Sequence, residues 1–319
     1  MTRPVDDAMA AERPEKITVH RLWVDEVRRV ADTESDVPLY LTMPGARGGD
    51  IQALIDAGII DLTETNAVAE PGKLRLVAVE NSPQAIVELQ KLFPGLKILQ
   101  EPIHSLLHSD GLTSWPDGEH KRFFRARVVN FDLQCSLEAS TKDGQLWFPI
   151  LALIRKLAIL HSEPALDWTL CLTLHGQVSW TVDRQKKAWK FLASNFGADE
   201  TFGRQARDTL GDEIYDAICT EPNLLRIEKL GLVEQQKLLM VLVPKKIAFD
   251  AHTHGWRVDT VENLRYGGSQ HRAPMVTWIL RFAWDERAAT EAPVVYHESL
   301  AQVLAYRGHI NRTGRLHRD

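Results

Sequence analysis

Cysteine is scarce in this 319-residue chain: Cys135, Cys171 and Cys219 are the only three, and they lie far apart. An odd number without zinc-type spacing excludes a disulfide framework and a thiolate metal knot, and points to buried thiols in a reducing compartment. Long apolar runs are missing too. No stretch approaches the roughly 18 consecutive apolar residues that a membrane span requires. Residues 1–15 are polar, mixed in charge and without an apolar centre, so no signal peptide is expected. Internal repeats and low-complexity segments are absent. An excess of positive charge is absent as well: 38 Lys and Arg against 43 Asp and Glu give a formal net charge of -5. That argues against a protein wrapped in nucleic acid, while leaving room for a local basic face. A soluble, cytoplasmic protein with no membrane segment is expected.

What the sequence does contain is concentrated between Val37 and Glu80. An apolar strand, Val37-Pro-Leu-Tyr-Leu-Thr-Met43, runs into the turn Pro44-Gly45-Ala46-Arg47-Gly48-Gly49. A helix follows from about Asp50, with Ile51, Leu54 and Ile55 on one face. The second strand, Leu74-Arg-Leu-Val-Ala-Val79, ends on Glu80-Asn81-Ser82. Glycines let a backbone approach a ligand, and a helix N-terminus attracts polar or anionic groups. A carboxylate at the tip of the neighbouring strand can accept both hydroxyls of a ribose. These are the parts of a nucleotide-type cofactor site, with Pro44, Gly45, Arg47, Gly48, Gly49, Glu80 and Asn81 as its candidates.

The pattern continues beyond it. A lead-in helix is expected around Val19, Leu22, Trp23, Val27 and Val30, after a loose segment over 1–16. Ser82-Pro83 reads as a helix start, Pro94-Gly95 as a stop, and strands fit 96–99, 127–131 and 168–174. Helices fit 148–160 and 183–195, and a helical excursion fits about 197–235. Strand character returns at 237–243, 248–258 and 275–284, and the end of the chain from 301 reads as a basic tail. Alternating strands and helices predict an α/β fold with helices on both faces of a mostly parallel sheet. The turn-rich stretch 262–273 predicts an antiparallel hairpin at the end of the main domain, 17–300. Asp132, with Asn130 beside it, falls at the carboxyl end of a central strand, where open α/β sheets hold ligands. His252-Thr-His254 has no third ligand at metal-type spacing and is read as a pair of hairpin histidines; no metal is expected.

With these pieces in place, the chain resembles the class I, Rossmann-like methyltransferases that use S-adenosylmethionine, over roughly residues 37–285. In that family the sheet is mostly parallel and closes on a reversed hairpin strand, for which Thr277-Trp278-Ile279-Leu280 stands here. The resemblance implies that the glycine turn holds the amino-acid end of the cofactor, Glu80 the ribose, and Gln100 or Glu101 the adenine. It makes Asn130-Phe131-Asp132-Leu133 the substrate-facing motif, with Asp132 and Asn130 catalytic and a nucleic acid as the acceptor class. The chain departs from the family at Thr42-Met43, where an acid is usual, and in the uneven spacing of Gly45, Gly48 and Gly49. At the fourth strand Phe131 and Asp132 stand where the nucleic-acid amino-methylating branch has two prolines. That altered motif and the missing first-strand acid support the alternative, a catalytically inactive relative kept for binding or sensing. A nicotinamide-dependent oxidoreductase is the third reading, and the closing hairpin argues against it.

Overall fold

The computed structural model describes residues 13–34, 36–64, 67–69, 73–100, 125–133, 137, 148–163, 165–220, 225–267, 273–290, 304 and 307–318. Its strands are β1 (Leu39–Thr42), β2 (Arg75–Glu80), β3 (Lys97–Gln100), β4 (Val128–Asp132), β5 (Trp168–His175), β6 (Trp256–Tyr266), β7 (Met275–Trp284), β8 (Arg307–Ile310) and β9 (Leu316–Arg318). Its α-helices are α1 (Pro14–Thr33), α2 (Gly49–Asp56), α3 (Pro83–Leu92), α4 (Pro149–His161), α5 (Val182–Ala198), α6 (Glu200–Leu210), α7 (Asp212–Thr220), α8 (Leu232–His252) and α9 (Glu286–Thr290). The sheet is α/β and mixed, in the order β3-β2-β1-β4-β5-β7-β6-β8-β9. β2, β3 and β4 join through parallel pairings with β1 or with each other, whereas β6 and β7 form an antiparallel hairpin. No helix among the described residues is long and apolar enough to cross a membrane.

The chain divides into two compact units. The first holds residues 1–132, 168–172 and 310–316. Its strands are buried almost continuously, as in Leu39–Thr42 and Val128–Phe131, which is the mark of a parallel strand covered on both sides. α3 starts as its sequence directs: Pro83 stands at the first helical position and Ser82 Oγ accepts the Ala85 amide at 3.3 Å. α1 turns Val19, Trp23, Val27 and Val30 inward.

The second unit holds residues 133–167, 173–309 and 317–319. Thr181 caps α5 and Asp199 caps α6, through Arg184 and Phe202 amides at 3.4 and 2.9 Å. Here two expected strands are corrected. Residues 237–243 lie inside α8, and of 248–258 the first five end that helix, with β6 beginning only at Trp256. The reason is burial on all sides. Leu238 to Val243 are each no more than 1 % exposed, so the segment shows no helical period, and a short apolar run reads equally as a strand. Pro244 in mid-helix leaves the Met240 carbonyl without its usual amide, and Asn263 Nδ2 of β6 donates to that oxygen at 2.8 Å. The basic end is not a loose tail where it is described. Arg307–Ile310 and Leu316–Arg318 are strands, with Gly308 and Ile310 inward and Arg307 and His309 outward of them.

Candidate functional site

Because β1 has β2 on one side and β4 on the other, connections leave it in opposite directions, and the β1/β4 boundary is a topological switch point. Open α/β sheets bind ligands there, outside the carboxyl ends of their strands. The register places the expected residues along that edge. Thr42 pairs with Ala78 and Asn130, and Glu80 pairs with Gln100. The Met43 amide donates to the Asn130 carbonyl at 3.1 Å, so the chain leaves β1 for the glycine turn directly beside the end of β4.

Within the turn the three glycines do different work. Gly45 has φ +61° and nothing within 4 Å of the place a Cβ would occupy, so its side is open for a ligand to approach. Gly48 has φ +54°, and a Cβ there would come within 2.5 Å of the Phe93 ring. A Cβ on Gly49 would lie 3.0 Å from the imidazole of His20. Gly48 and Gly49 are thus required for close packing of α2 against α3 and α1. Pro44 is half-buried, and Arg47 is exposed. Glu80 turns one carboxylate oxygen onto its own loop: Oε1 accepts the Asn81 and Ser82 amides at 2.8 and 2.9 Å. Its Oε2 takes part in neither bond. Glu101 lies outside the described residues.

Beneath the turn is a buried polar network centred on Asp50, in the first turn of α2. Asp50 Oδ2 accepts from Tyr40 Oη at 2.9 Å, from Thr42 Oγ1, and from Asn130 Nδ2 at 3.1 Å. Asn130 Nδ2 also donates to Tyr40 Oη at 2.9 Å. Asn130 is fully buried, and its Oδ1 and Asp50 Oδ1 are left without partners. Burial, reinforced by the Asp50 carboxylate, raises the Tyr40 hydroxyl well above its ordinary pKa, so it stays a donor. Asp132, two residues on from Asn130 and on the same face of β4, forms an ion pair with Lys16 of α1 through Oδ2. Its Oδ1 is buried and unpartnered.

α1 completes the site. Lys16 packs over the Trp23 ring at 4.9 Å, and His20 lies 5.1 Å from the same ring. Burial first, and the Lys16 charge second, lower the His20 pKa to about 4 against the opposing pull of Asp132 and Asp50, so the ring is neutral near pH 7. The start of the helix is itself held in place: Thr18 Oγ1 donates to the Gly314 carbonyl at 2.6 Å. Lys16, His20 and Asp50 were not legible as site residues. The available signal was that Lys16 and His20, four residues apart, share a helix face with Trp23.

Of the other sequence candidates, His252 is buried at the end of α8 and His254 Nε2 accepts from Arg155 Nε at 3.2 Å. Neither lies on the strand first expected, and no metal-type cluster occurs among the described residues. At the basic end, Arg307 donates to the Gln205 carbonyl at 2.7 Å, and Arg318 forms a two-point pair with Glu262, one contact at 2.6 Å. Comparison with protein-family models and with curated proteins returns no match.

Proposed function

We propose that the chain is an S-adenosylmethionine-dependent methyltransferase whose cofactor lies across the carboxyl edge of β1, β2 and β4. The observation that carries this reading is the sheet. A mostly parallel set of strands closes on the antiparallel β6–β7 hairpin, with the glycine turn and Asp132 meeting at its switch point. The residues present suit a nucleoside with a charged amino-acid end. Gly45 leaves open space, Glu80 and Asn81 stand at the tip of β2, and Asp132 Oδ1 is a buried acceptor without a donor. When bound, the cofactor supplies an electrophilic methyl group. The chain's part is alignment: Pro44 and Gly45 shape the turn, Glu80 holds the sugar, and Asp132 positions or deprotonates the attacking nitrogen or oxygen. For that last role Lys16 must give way to the acceptor.

A second reading is favoured by one specific observation. Asp132 is engaged by Lys16, and Asn130 is fully buried with its amide nitrogen committed twice. A catalytically inactive protein that keeps the cofactor site for binding or sensing would have this arrangement. As to the acceptor, Arg307 and Arg318 are occupied within the chain, so nucleic acid rests on the Asn130–Leu133 resemblance and on the exposed Arg312 and Arg315.

Calorimetric titration with S-adenosylmethionine, with NAD as control, tests the proposal. The expected result is selective micromolar binding that Glu80→Ala weakens about tenfold or more, the loss of a charge-assisted hydrogen-bonding group. No binding rejects the cofactor. With binding shown, labelled-methyl transfer to pooled nucleic acids that Asp132→Asn abolishes at unchanged affinity supports catalysis. Binding without transfer to any acceptor class favours the second reading.

A further inference from the structure

A groove of about 1100 Å³ runs over the outer side of α2. α2 has eight residues, whereas α1 on one side has twenty and α3 on the other has ten, so the middle helix leaves a trough between its longer neighbours. Its floor is made of small side chains, Ala53 and Ala57. Its two rims each carry a large apolar residue turned to solvent: Ile17 on α1 is 48 % exposed, and Leu92 on α3 is 53 % exposed. These are protruding apolar side chains beside a shallow apolar floor.

The charges in the groove are of both signs. Arg28 is paired with Asp25, and Glu88 with Lys91. Arg21 of α1 forms no ion pair among the described residues. Among those residues Asp56 of α2 accepts only from Gln52 Nε2, at 2.8 Å, and meets no cation. Among the described residues, one groove therefore offers a guanidinium on α1 and a carboxylate on the middle helix α2, neither of which meets an opposite charge. A surface of this kind is self-complementary under a two-fold axis, because each copy's cation then faces the other copy's anion and each rim faces the other copy's floor.

We propose that this groove is a self-association surface, closed by a second copy of the chain, with Arg21 of each copy paired to Asp56 of the other and the Leu92 rim seated over Ala53 and Ala57. Association is expected in the micromolar range, about 10⁻⁶ to 10⁻⁴ M. The groove also takes in Ala46, Arg47 and Gly49 of the glycine turn, so a second copy seated there lies against one side of the turn. Sedimentation is run without cofactor, and its outcome is read separately from the cofactor proposal.

Sedimentation of the full chain over a concentration series up to about 0.5 mM, spanning the range expected for an interface of this class, provides the test. The wild type is expected to dimerise. Arg21→Glu and Asp56→Arg should each weaken the dimer about tenfold or more by placing like charges together, and the double variant should recover to within about threefold. Leu92→Glu should leave a monomer. All three positions are exposed, and thermal melts within a few degrees of wild type confirm folding. A wild type that stays monomeric overturns the proposal. So does a dimer indifferent to these changes, and so does a double variant that fails to recover.

Discussion

Asp50 is the residue on which the interior of the first unit depends most, since three donors from β1 and β4 converge on one of its oxygens. Asp50→Ala leaves Tyr40 Oη, Thr42 Oγ1 and Asn130 Nδ2 without that acceptor, and should cost about 2–4 kcal/mol in denaturant unfolding. A loss under about 1 kcal/mol would mean that the network is not what holds the turn. In the second unit, Lys245 is fully buried, 4.0 Å from the Phe202 ring and 4.0 Å from Asp199. Burial outweighs the Asp199 charge and lowers its pKa from 10.5 to about 8. Between those values the unfolded chain binds the proton that the folded chain has released, so stability rises with pH across the window and falls as pH drops back toward 8. The wild-type curve minus that of Lys245→Met should change by on the order of 3 kcal/mol from end to end. Parallel curves would contradict the assignment. Neither residue could be singled out from sequence. An acid in a first helical turn is ordinary, and a lysine in an apolar run gives no sign of whether it reaches water.

At the scale of elements, the glycine turn separates packing from function. Gly48→Ala places a Cβ against Phe93 in a left-handed backbone, which together should cost about 2–4 kcal/mol. Gly45→Ala meets only the backbone penalty, about 1–2 kcal/mol, and should act mainly on ligand binding. Equal thermal losses in the two variants would refute that division. Strands such as Arg75–Glu80 and Trp168–His175 were legible because apolar runs flanked by turn residues and alternating with amphipathic helices admit few other readings. α8 was not, because a helix buried on every side erases the period by which helices are recognised. β8 and β9 were hidden by their arginines, whose charge masked the inward positions of Gly308 and Ile310. The closing hairpin was legible from the length of its connection, too short for a helical crossover.

For the molecule as a whole, the sequence pointed to the α/β class, the mostly parallel sheet and the edge that would carry a site. It did not indicate that α1 reaches that edge with Lys16 and His20, because such contacts join residues more than a hundred positions apart, as in Lys16 and Asp132. A nucleoside sulfonium cofactor is proposed to bind at the carboxyl edge of β1, β2 and β4. Hydrogen–deuterium exchange of the full chain with and without S-adenosylmethionine tests it most directly. Slowed exchange is expected in peptides covering residues 43–48, 80–82 and 132–133, with little change at residues 53–57 in the groove. Unchanged exchange at the strand tips, or protection confined to residues 53–57, would contradict it.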